Sequence, residues 1–209
     1  MEVLEFRPIK NKTVNIYLIR REDRDLLSLH HSNLEKIIEK EKFKFAIVDF
    51  NDSEVKKYYQ TPLSEFIEKF HLPYYEVEIP ESIKSYFYVE LLDLEVQVEE
   101  LEQEYEKLLL NNQKDTFKAQ SLNSWIYLLK DKVEYTKNLL EYTIKPKWIV
   151  KKILDVVNNI KNDNLSIIHF AHEDLISELK KLFEEYNIKV IKYDIREEKL
   201  KSIIMLKEG

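Results

Sequence analysis

Glycine is nearly missing from this chain: there is one in 209 residues, Gly209. Loops that cradle phosphate need glycine so that backbone N–H groups can close on the anion. A P-loop, a G-x-G-x-x-G fingerprint and a G-x-S-x-G nucleophile elbow are therefore all excluded as written. Cysteine is missing altogether. That removes disulfides and thiolate metal sites and fits a reducing compartment, so a cytoplasmic protein is expected. No apolar run approaches the roughly 18 residues of a membrane span, and Met1-Glu2-Val3-Leu4-Glu5-Phe6-Arg7 does not read as a signal peptide. Positive charge is not in surplus. The 33 basic and 39 acidic residues leave a net charge of -6, so the total predicts no general attraction to a nucleic-acid backbone.

What is present is apolar periodicity. From Pro80 to Lys145, apolar residues fall at Phe87, Leu91, Leu94, Val98, Leu101, Tyr105 and Leu108. After the polar break Asn111–Asp115 they resume at Leu122, Ile126, Leu129, Val133, Thr136, Leu140 and Thr143. Steps of four and three average the 3.5 residues of a coiled coil. A short break between two such helices predicts an antiparallel hairpin.

Around this arm the pattern alternates between strand and helix. Strands are expected at Glu2–Phe6, Val14–Ile19, Phe43–Phe50, Tyr74–Ile79, Leu165–Phe170 and Ile188–Tyr193. Helices are expected at Leu26–Lys42, from Thr61-Pro62, at Lys147–Ile160 after a break at Lys145-Pro146, and at Glu173–Tyr186. Asp52 or Ser53 can cap a further short helix, and Ile195–Leu206 reads as helix, strand or both. The expected fold is α/β: a Rossmann-like three-layer domain with a mostly parallel sheet, interrupted by a long antiparallel coiled-coil helical hairpin. Residues 1–79 and 146–209 form the domain, and 80–145 the arm. The Ile, Lys and Glu bias matches a heat-adapted source, and AT-rich coding gives the same bias.

Candidate chemistry sits where strands end. His31 follows the cluster Arg20–Asp25, Asp49 closes an apolar strand, and His172-Glu173 follow another. In an open α/β sheet, ligands gather at the carboxyl ends of the strands. His31, Asp49, His172 and Glu173 are thus candidate catalytic residues. His31, His172 and Glu173 are candidate ligands for a divalent metal, although no H-E-x-x-H spacing is present. The alternative is structural, with His172 at a helix N-cap and His30-His31 on the surface.

These pieces resemble a known superfamily. Ser166-Ile167-Ile168-His169-Phe170-Ala171-His172, followed by a helix and the strand Ile188–Ile191, looks like the late G-x-x-H segment of the TraB/ChaN/erythromycin-esterase superfamily. Ile16–Ile19, Arg21-Glu22-Asp23, His30-His31 and Phe45–Asp49 are similar in layout to its first motifs. His169 stands where that pattern has glycine, and R-E-D-R stands where it has G-E-x-H. The resemblance implies a hydrolase, metal-dependent in some members, acting through histidines and carboxylates.

Two further stretches bear on partners. Lys145–Lys152 is basic around Trp148, so it is a candidate phosphate-backbone contact with Trp148 stacking; alternatively Ile149 and Ile153 bury it. Tyr86, Tyr88, Tyr127, Tyr135 and Tyr142 lie off the arm's apolar seam, and exposed aromatics there suggest a contact surface. The leading expectation is a non-catalytic interaction protein with no cofactor, joining a protein partner or a second copy through residues 80–145. The alternatives are a metal-dependent hydrolase at the sheet edge and nucleic-acid binding through 145–152. No membrane partner is expected.

Overall fold

The computed structural model describes residues 6–21, 34–49, 62–77 and 79–193. Most of the expected strand at 2–6, the cap at Asp52 or Ser53, the first part of the helix expected from Leu26, and the tail after 193 lie outside the described residues. The chain divides into two compact units, Met1–Glu78 with Pro146–Gly209, and Ile79–Lys145.

The first unit is mixed α/β, built on five strands that all run parallel: β1 (Thr13–Arg21), β2 (Ala46–Val48), β3 (Tyr74–Glu76), β4 (Asn164–His172) and β5 (Lys189–Tyr193). Their order is β3-β2-β4-β1-β5. Strand β4 lies far along the chain yet pairs with β1 over nine residues, from Thr13↔Asn164 to Arg21↔His172. On its other edge β4 pairs with β2. Both parts of the chain are thus needed for one sheet.

Alternation along the strands sends side chains to two faces. On one face Ile19, Val48, Ile168 and Phe170 form a cluster with α1 (Leu34–Glu41) and α2 (Pro62–Lys69) through Leu34, Ile38, Leu63 and Phe66. On the other, buried His169 meets the edge of Phe183 from α6 (Ile176–Glu185), ring centroids 6.2 Å apart. Helices on both faces of a parallel sheet are consistent with a Rossmann-like domain.

The second unit holds α3 (Glu81–Leu110) and α4 (Phe117–Leu139), followed by a π-helical turn at Leu140–Ile144. The helices run antiparallel: Glu90 and Glu95 of α3 pair with Lys132 and Lys137 of α4, while Glu102 and Glu104 pair with Lys130 and Lys118. Thr116 caps α4 by accepting from the Ala119 N–H at 3.3 Å.

With no internal glycine, helix ends must turn on other residues. Asn112 takes φ 57°, His71 50° and Asn187 59°. Each sits where the next backbone N–H bonds back five residues in the Schellman pattern: Gln113 to Leu108, Leu72 to Ile67, and Ile188 to Phe183. Lys42, just beyond α1, takes φ 48°. The left-handed region is costly for a residue with a Cβ, least so for asparagine.

Two expectations need correction. The apolar run Phe43–Phe50 yields a strand of only three residues, Ala46–Val48, paired with β3 on one edge and β4 on the other over those three positions. Lys145-Pro146 does not break the helix: α5 (Lys145–Asn159) follows the π turn directly. The Lys145 N–H bonds Leu140 O, five residues back. Wider π hydrogen bonding removes the usual clash between proline and the preceding turn. At its other end α5 is closed by Lys12, whose Nζ donates to the carbonyls of Val157 at 2.9 Å, Asn158 at 3.3 Å, and Ile160.

Candidate functional site

Topology marks one place at the sheet edge. Strands β1 and β4 are neighbours, but the chain leaves β1 for β2 on one side and β4 for β5 on the other. In open α/β sheets ligands gather at the carboxyl ends of the strands where connections run in opposite directions. There the Arg20 guanidinium pairs with the Glu173 carboxylate. Asp49, 1% exposed, ends β2 and accepts the His172 backbone N–H at Oδ2, 3.1 Å away.

Asp49 and His172 therefore meet, but through the backbone amide. The imidazole Nδ1 of His172 lies instead 3.5 Å from Asp174 Oδ2. Glu173 begins the short 3-10 turn Glu173–Leu175, with His172 at its N-cap position. His31 lies outside the described residues. Among the described residues, no three His, Cys, Asp or Glu side chains are grouped to hold a metal ion. Among the described residues, Arg20, Glu173, Asp49 and His172 are all engaged with neighbours at this edge. The arrangement fastens the ends of β1, β2 and β4 to one another.

Near the edge of the α1 and α2 cluster, the Tyr17 phenol is pushed up to about 12, first by burial and then by its hydrogen bond to Glu41 and that carboxylate's charge. Tyr17 also meets the edge of Phe43 at 4.9 Å.

The helical unit carries a different feature. Leu91, Leu94, Val98, Leu122, Ile126, Thr136 and Leu140 are buried, all at four-three steps. Outside that seam further apolar side chains reach the surface among the charged ones. Of fourteen large apolar side chains exposed among the described residues, thirteen lie in this unit, and Tyr75 is the other. They include Tyr86, Tyr88, Tyr127, Tyr135 and Tyr142, named from the sequence, and also Val89, Phe117, Trp125 and Leu128, which the sequence reading missed. Their signal was available: Leu128, Tyr135 and Tyr142 repeat every seven residues, and Trp125 directly precedes seam residue Ile126. Tyr86, Val89, Glu90, Asp93, Gln97 and Lys132 line a groove of about 660 Å³.

Trp148 is corrected. It is 6% exposed, with Lys152 and Lys151 Nζ lying 5.3 and 5.8 Å from its ring centroid. A buried ring offers no platform for a nucleic-acid base, so the stretch 145–152 loses the stacking half of its proposed contact.

No described helix is long and apolar enough to cross a membrane. No protein-family model, no curated protein and no solved structure matches this chain.

Proposed function

We propose that this is a non-catalytic interaction protein: a Rossmann-like body bearing a coiled-coil hairpin that docks onto other helices. The observation that carries this reading is the concentration of exposed large apolar side chains on residues 79–145, thirteen of the fourteen among the described residues. Apolar surface of this kind is rare on monomeric proteins unless a partner covers it.

The pairing of α3 with α4 supports the coiled-coil part of the reading. With Leu94, Leu101, Leu122 and Leu129 at position d, the ion pairs Lys137–Glu95 and Lys130–Glu102 join e to e, while Lys132–Glu90 and Lys118–Glu104 join g to g. Those are the flanking pairs of an antiparallel coiled coil. The seam is thus satisfied within the hairpin, and the remaining apolar residues are left for a partner. At the sheet edge, the mutual pairing of Arg20 with Glu173 and of Asp49 with His172 N–H favours a structural role.

A photo-crosslinking amino acid at position 128 or 135, compared with one at position 180 on α6, tests the reading in extracts of cells expressing the full chain. Protein adducts are expected at 128 and 135 and not at 180. Equal labelling at all three positions refutes it.

A further inference from the structure

The exposed stripe on α4 has a period and a charge setting. Trp125, Leu128 and Tyr135, with Lys132 and Leu139, follow steps of three and four along one flank of the helix, and Tyr142 continues the spacing into the π turn. Lys132 also reaches the groove that Tyr86 and Val89 line on α3, which puts these residues on one face of the hairpin. This second stripe has the same 3.5-residue period as the seam, the spacing at which one helix packs along another.

We infer that the occupant of this face is a second copy of the same chain, with α4 of each copy lying against α3 of the other; this rests on the docking role proposed above. Charge selects the pairing. Helix α3 carries nine acids and two lysines, net -7, whereas α4 carries four lysines and two acids, net +2. Setting α3 against α3, or α4 against α4, faces like charge with like. Setting α4 against α3 of the other copy alternates the signs, and a two-fold axis along the helices produces that pairing twice.

Area agrees. Tyr86, Val89, Trp125, Leu128, Tyr135 and Tyr142 are 48–71% exposed. Taking about 150–200 Å² for each side chain, they present roughly 600 Å², and the stems of flanking Glu and Lys residues bring the face towards the ~800 Å² per partner of a standard interface.

The test uses the purified full chain. Sedimentation velocity over a wide concentration series is expected to show a two-chain species. Trp125→Ser, Leu128→Ser and Tyr135→Ser together are expected to raise its dissociation constant about a hundredfold or more, with the helical circular dichroism unchanged because these side chains are exposed. Since the natural chain has no cysteine, a mixture of Gln97→Cys and Leu128→Cys chains, two positions at nearly the same height along the hairpin on this face, reports the pairing directly. Oxidation is expected to join 97 to 128 across copies in preference to 128 with 128. A dimer that ignores the triple variant, or that joins 128 to 128 preferentially, overturns the assigned face or pairing. A strict monomer overturns the second copy as occupant. The docking role is judged separately: it stands if position 128 still forms adducts with other proteins and falls if it does not.

Discussion

Replacing His71 with glycine should make this protein more stable, and the reason lies in the near-absence of glycine. His71 ends α2 at φ 50°, with its own N–H bonded to Glu68 O at 3.0 Å and the Leu72 N–H bonded to Ile67 O at 3.2 Å. The backbone is thus held in the left-handed region by two hydrogen bonds that glycine would keep. The imidazole is exposed, so little packing is lost. A Cβ in this region costs about 1–2 kcal/mol. Glycine returns part of that, because it adds about 0.5–1 kcal/mol of backbone freedom to the unfolded chain. The expected net gain for His71→Gly is about 0.5–1 kcal/mol, and Asn112→Gly should gain less, since asparagine tolerates the conformation better. Urea unfolding followed by the fluorescence of Trp148, in the unit that holds α2, reads the difference at constant slope. A loss of stability at His71→Gly, or a gain at Asn112→Gly larger than at His71→Gly, would refute the reasoning.

Other outcomes follow from single contacts. Asp49→Ala removes a buried acceptor from the His172 N–H and should cost about 2–3 kcal/mol; Asp49→Asn, which keeps an oxygen there, should cost less, and equal losses in urea titrations would contradict the fastening role. Lys12→Met strips the charged donor from the end of α5 and should cost about 2 kcal/mol in the same titration; no change would refute the cap. Leu94→Ala opens the buried seam and should cost about 3 kcal/mol, seen in thermal melts of the helical signal; a neutral result would mean the seam is not a core. The Tyr17 phenol, raised from 10.0 to about 12, keeps its proton more tightly when folded, so its contribution is complete below pH 10 and is lost between about pH 10 and 12. Tyr17→Phe should flatten stability across that window, and an unchanged profile would refute the assignment.

Where local rules govern, the sequence could be read closely. The β-branched run Val14–Ile19 lies within β1, and the four-three steps from Leu91 to Leu140 pick out buried residues, because periodicity reports which face of a helix is covered. Long-range choices left no local trace. Nothing in Leu165–Phe170 says that this strand inserts between β1 and β2, nor that Arg20 meets Glu173 across 153 residues of chain. Pro146 misled because a proline's cost depends on the hydrogen-bond register of the preceding turn, which here is π. Trp148 misled because lysines on either side suggested a surface, whereas two of them fold over a buried ring. His31 lies outside the described residues, so the expected histidine and carboxylate site is described only at Asp49, His172 and Glu173.

The contact role of the hairpin is tested most directly on the two tryptophans of the unmodified sequence, Trp125 and Trp148. Fluorine NMR of the chain labelled with 5-fluorotryptophan gives one resonance for each. The Trp125 resonance should move steadily as protein concentration rises and its solvent isotope shift should shrink, while the Trp148 resonance stays fixed. A Trp125 resonance that remains solvent-exposed at every concentration, with and without cell extract, would contradict the account.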